Sequence, residues 1–103
     1  MTRFPCPQLG AQVELTRERE QHIARHHPDL LPEHKQRIVD TLAHPDEVRP
    51  SARLPNARLL SRWFPDLRGG KHVVVVVLSD PPPRPRHWVT TAYIARKLAP
   101  GLS

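Results

Sequence analysis

The chain has 103 residues, enough for one domain around one modest core, and it carries a net charge of +6. No apolar run approaches the roughly 20 residues needed to cross a bilayer, the opening Met1-Thr-Arg-Phe-Pro-Cys6 has no hydrophobic region of the signal-peptide kind, and the single cysteine, Cys6, excludes an intrachain disulfide. These features predict a soluble protein with no membrane partner, cytoplasmic or delivered into the cytoplasm of a target cell.

Residues 1–9 read as an N-terminal tail that holds Cys6, residues 10–99 as a single domain, and residues 100–103 as a C-terminal tail. Ala11 to Leu15 has the makings of a short strand. Thr16 is a good N-cap, and Glu18 and Glu20 suit the first turn of a helix that runs to about His27 and stops at Pro28. The apolar stripe of this helix is thin: Ile23, with His27 four residues on, so much of its surface must face solvent or a ligand. Pro32 is placed to open a second helix that continues to Ala43 on the stripe Leu31, Ile38, Val39 and Leu42.

From Asp46 the pattern changes to period two. Glu47 to Arg53 is a weak strand broken by Pro50, and Ala57 to Phe64 is a stronger one. The turn Pro65-Asp-Leu-Arg-Gly-Gly70 leads to Lys71–Ser79, whose five consecutive valines predict a central strand covered on both faces. The loop Asp80-Pro-Pro-Pro-Arg-Pro85 then joins the last strand, His87 to Lys97. Short connections predict antiparallel neighbours. The expected fold is therefore α+β: two N-terminal helices packed on a roughly four-stranded antiparallel sheet.

Charge divides unevenly. Residues 1–48 are net −2, whereas residues 49–103 hold ten Lys/Arg and only Asp66 and Asp80, a net of +8. A one-sided positive field suits a polyanion, nucleic acid above all, though an acidic protein partner fits the same field. His22 and His26 share a helix face at a spacing that can chelate zinc, but no carboxylate or further Cys/His pair stands at ligand spacing, so no metal is expected. His22 lies off the apolar stripe beside Glu18, Arg19 and Arg25, where a near-neutral imidazole can act as base or acid. His27, just before Pro28, suits a structural role at the helix end. Strict alternation puts His87, Val89, Thr91 and Tyr93 on one face of the last strand, and Arg58, Leu60, Arg62 and Phe64 on one face of an earlier strand. Together these offer hydroxyls and guanidiniums to a phosphate.

The order Val13-Glu-Leu-Thr16, His22-Ile23, His27-Pro28, Pro45-Asp-Glu-Val48, Arg62, the valine strand and Thr91-Ala-Tyr93 resembles a known family. It is similar, over about residues 11–98, to the phage-associated branch of the nuclease superfamily that groups barnase, EndoU, the tRNA-cleaving colicins and RelE. The resemblance implies one or two helices followed by a four-stranded antiparallel sheet. It also implies a toxin-like, metal-independent ribonuclease without cofactor, with RNA as substrate and an antitoxin or immunity protein as a partner. By motif it gives His22, His27, Arg62, Thr91 and Tyr93 as the catalytic set, and Arg25, Arg58 and Lys71 are the expected nucleic-acid contacts. The chain departs from the pattern in having His26 where relatives often have Arg, a contact for which Arg25 can substitute, and Glu20 where they often have an aromatic residue. The rival expectation is a non-catalytic module that binds nucleic acid or an acidic protein through the same basic sheet.

Overall fold

A computed structural model describes residues 2–83 and 85–98. In chain order the elements are β1 (Thr2–Cys6), a 3-10 turn (Pro7–Leu9), β2 (Ala11–Leu15), α1 (Arg17–His26), α2 (Lys35–Ala43), β3 (Glu47–Pro50), β4 (Ala57–Phe64), β5 (Lys71–Ser79) and β6 (His87–Ala95). The strands form one six-stranded sheet in the order β1-β2-β6-β5-β4-β3. β3 to β6 are an antiparallel meander. The β1–β2 hairpin is added through a parallel pairing of β2 with β6 at Glu14 and Trp88.

The class is α+β as expected, but the architecture corrects the expectation of two N-terminal helices on a four-stranded antiparallel sheet. The sheet has six strands and is mixed, and two of its strands precede the helices. The stretch read as a tail is β1. It turns into β2 at Gly10, whose left-handed backbone (φ 63°) lets its N–H reach Pro7 O at 3.0 Å. Cys6, far from being a loose tail residue, is fully buried in the core, where loss of hydration pushes its thiol pKa up.

Helix α1 begins where its sequence says it should. Thr16 Oγ1 accepts from Arg19 N at 3.1 Å, satisfying one of the free N–H groups of the first turn. Its end is made by backbone: His27 N–H donates to Ile23 O, and His27 O accepts from Leu30 N and Leu31 N. Helix α2 starts at Lys35 and not near Pro32, because residues 29–34 form turns instead. Ile38 and Leu42 of α2 and Ile23 of α1 pack with Leu60, Val73, Val75, Val77, Val89 and Ala92 on one side of the sheet. Each of the valine, leucine and isoleucine side chains, fully withdrawn from water, contributes about 1.5–3 kcal/mol. The five valines are all buried, as a central strand requires.

Candidate nucleic-acid interface and cleavage site

Register decides which side chains can meet. Leu60 of β4 stands opposite Val75, and Val75 opposite Ala92, so this row faces the helices. The alternate rows face away. Arg49, Leu59, Val76 and Thr91 form one, and Glu47, Ser61, Val74 and Tyr93 the next. Trp63, His72 and Ala95 form the third, with the Trp63 and His72 rings edge-on at 4.9 Å. No helix covers this second face among the described residues.

β6 does not alternate strictly. The register shifts between Val76 and Val77, so Val77 opposes Val89, Val76 opposes Thr91, and Thr90 is the extra residue of a bulge. Val89 therefore faces the core with Ala92, while Thr91 and Tyr93 face away from it. The face shared by Val89, Thr91 and Tyr93 in the sequence reading is corrected by that one added residue.

On the helix-free side a groove of about 560 Å³ is lined by Ser51, Arg53, Leu54, Leu59, Val76, Thr90, Thr91 and Tyr93. At its edge stands α1. β2 stops pairing with β6 near Trp88, and the chain continues as α1 alongside the strand, with Arg19 Nη1 donating to Thr90 O at 3.3 Å. Arg19, His22 and His26 follow at i, i+3 and i+7 on one helix face. The His22 and His26 rings lie 4.5 Å apart, tilted by 49°. The His27 ring lies 6.1 Å from that of Tyr93, centroid to centroid. Desolvation pushes the His22 pKa down, and the positive charge of Arg19, His26, Arg25 and His27 adds to the effect, so the neutral form of this imidazole is favoured. Among the described residues no group of three His, Cys, Asp or Glu is arranged to hold a metal ion.

Of the residues singled out in the sequence, then, Tyr93 meets His27 and lines the groove with Thr91, while His22 lies five residues before His27 on α1. Arg62 does not join them. It sits on the helix-facing side of β4, opposite Val73, where Nη1 donates to His44 O at 2.7 Å and the guanidinium lies 5.6 Å over the Phe64 ring. Arg58 shares that side and is exposed. The expected convergence of guanidiniums from β4 with hydroxyls from β6 is thus corrected: the two sets lie on opposite faces of the sheet. Lys71 Nζ is held by Arg68 O at 2.9 Å and Gly70 O at 3.2 Å, tying down the turn before β5. Arg25 is exposed on α1.

Three residues at the site went unremarked as functional in the sequence. Arg53 and Leu54 come from the loop after β3, whose shape is set by Ser51 Oγ accepting from Arg53 N at 3.2 Å and Leu54 N at 3.1 Å. The run Ser51-Ala-Arg-Leu-Pro-Asn56 carries that turn signal, but nothing local says which face the loop folds over. Thr90 is placed by the bulge, which has no local signature. Near the other end of β6, Glu14 is nearly buried and receives both Nε and Nη2 of Arg86 at 3.0 Å, fastening β2 to the chain entering β6.

No helix among the described residues is long and apolar enough to cross a membrane. Comparison of the chain with protein-family models, with curated proteins and with solved structures gives no match in any of the three.

Proposed function

We propose that the protein is a small endoribonuclease of the toxin type, working without a metal at the edge of the helix-free face where α1 meets β6. The observation that carries this reading is the apposition of His27 with Tyr93 beside a groove that also holds Thr91 and Arg53. The net +8 of residues 49–103 supports RNA as the polyanion, and an acidic inhibitor protein would suit the same field.

Ribose supplies its own nucleophile, so the protein has to move protons and hold charge. In this mechanism an imidazole on α1 or at its end, His22 or His27, takes the 2′-OH proton as the 2′-oxygen bonds to phosphorus. Tyr93 Oη donates its proton to the leaving 5′-oxygen as that bond breaks, giving a 2′,3′-cyclic phosphate and a 5′-hydroxyl. Arg53 and the Thr91 hydroxyl hold the non-bridging oxygens, on which charge builds. Arg62 has a positioning role here, fixing the end of α2 against β4.

The test is RNA incubated with the pure protein in EDTA, with product ends identified, for the wild type and for His22→Ala, His27→Ala and Tyr93→Phe. Loss of one acid or base should slow cleavage by about 10²–10⁴, and DNA, which lacks the 2′-OH, should stay intact. Full activity in all three variants, or equal cutting of DNA, would refute the mechanism. RNA that is bound and never cut would instead establish the binding-module reading, which the structural engagement of Arg62 favours.

A further inference from the structure

We infer that the groove between the 51–56 loop and β6 is a base-binding subsite for single-stranded RNA, with Leu54 forming its apolar wall and Thr90 helping to read the base edge. This rests on the nucleic-acid reading above and adds to it the substrate's strandedness and the residues that set base preference.

The groove has the size and make-up of a site for a flat heterocycle. Its volume of about 560 Å³ lies in the range of small-ligand pockets. Leu59 and Val76 form the floor, and the Tyr93 ring and Leu54 contribute apolar surface. Ser51, Thr90 and Thr91 bring hydroxyls to its lining. Ser51 Oγ is already an acceptor for two backbone N–H groups, which leaves its proton to donate. Thr90 Oγ1 has no hydrogen-bond partner and is covered by its neighbours, a state that costs about 1–3 kcal/mol; rotation of this side chain into the groove it lines would let a base edge relieve that cost. The bulge that makes Thr90 the extra residue of β6 is the kind of irregularity by which sheets re-aim a side chain beside a binding site.

A second observation concerns exposed apolar side chains. Among the described residues two large ones stand out, Leu54 at 41 % and Trp63 at 43 %, and both belong to the helix-free face. One borders the groove. The other lies along β4 with its ring edge-on to His72, where it can stack a further base. Charge complementarity names the occupant. Arg53 lines the groove and belongs to no ion pair among the described residues, and Lys97 lies just past β6. Phosphates between splayed bases fit that setting. A duplex does not, because its bases are stacked and paired and cannot turn into the groove.

The experiment measures binding of the full chain to short fluorescent 2′-O-methyl oligonucleotides, which resist cleavage, of adenine, cytosine or uracil alone. A blunt RNA duplex and a poly-glutamate peptide serve as comparisons. The expected result is a preference for single strand over duplex and for one base over the others by about tenfold. Leu54→Ala should weaken the preferred oligonucleotide about tenfold, the scale of losing one base contact. Thr90→Val, which keeps the side chain's shape, should flatten the preference and leave the weaker bases alone. Trp63→Ala should weaken all three alike, since stacking tolerates any base. Equal binding of all bases, equal binding of duplex, or indifference to both Leu54→Ala and Thr90→Val in variants with wild-type melting curves would overturn the inference. So would a peptide affinity that responds to Leu54→Ala when RNA affinity does not. Base-selective binding without cleavage would leave the subsite standing and remove the ribonuclease. Cleavage indifferent to base and to both variants would do the reverse.

Discussion

Arg62→Ala separates a positioning arginine from a catalytic one. The substitution removes the 2.7 Å bond from Nη1 to His44 O and the guanidinium lying over Phe64. A charged donor on a neutral acceptor is worth about 1.5–3 kcal/mol when dry, and less here because the bond is open to solvent. The stack on Phe64 adds about 0.5–1 kcal/mol. Against these, Arg62 Nε is buried without a partner, and its removal returns about 1 kcal/mol. The net loss is therefore about 0.5–2 kcal/mol, which for a domain of this size lowers the melting temperature by roughly 2–15 °C. Thermal melts followed by circular dichroism give the shift, and RNA cleavage at a temperature where both proteins are folded gives the activity. The expected pair of results is a lower melting temperature with cleavage within about threefold of wild type. An unchanged melt together with a cleavage loss of about 10² or more would refute the reasoning, and would mean that Arg62 reaches the scissile phosphate despite facing the helices.

Other outcomes follow from the same geometry. Glu14 is held below the usual carboxylate range by its hydrogen bonds from Arg86, against the opposing effect of burial. A lowered folded-state pKa gives stability that is present above the unfolded value and lost as pH falls through the folded one. The urea midpoint should therefore drop on the acid side, and in Arg86→Ala, which removes the hydrogen bonds and the charge that most lower this pKa and leaves burial to raise it, that acid-side drop should shrink; identical profiles would dismiss the pair. Gly70→Ala should destabilise by about 1–3 kcal/mol, since Gly70 has φ +106° and a Cβ there would stand 2.5 Å from Trp63 Cζ2; tryptophan fluorescence should shift as the indole is displaced. RNA affinity should fall steeply with salt, and a flat salt titration would remove the electrostatic basis for nucleic acid altogether. Leu60→Ala, at a fully buried position, should cost about 2–5 kcal/mol in the urea midpoint analysis.

What the sequence disclosed was what is encoded locally. Thr16 and the acidic first turn mark α1, and period-two runs mark β4, β5 and β6, because capping and alternation act within a few residues. β1 escaped notice because a five-residue strand containing Pro5 carries almost no propensity, and proline is tolerated there only because the strand is an edge. The parallel contact of β2 with β6 joins Glu14 to Trp88, and no local pattern announces a pairing at that separation. The site was half legible for the same reason. Thr91 and Tyr93 could be put on one face together, and His27 at a helix end. Yet whether Arg62 shared their face depended on register across β5 and on one bulge residue, which reverses the alternation of everything beyond it.

The position of β6 between β2 and β5 has a consequence for synthesis. Until His87–Ala95 has left the ribosome, the chain holds a β1–β2 hairpin and a β3–β5 meander with no strand to join them, and α1 has no β6 edge to lie along. The segment that completes the sheet also delivers Thr90, Thr91 and Tyr93, so the groove they line does not exist in any shorter nascent chain. Closure across so long a loop makes for slow folding, and it makes this face the last part of the domain to be assembled. The groove lined by Thr90, Thr91 and Tyr93 is complete only once nearly all of the described chain has been translated.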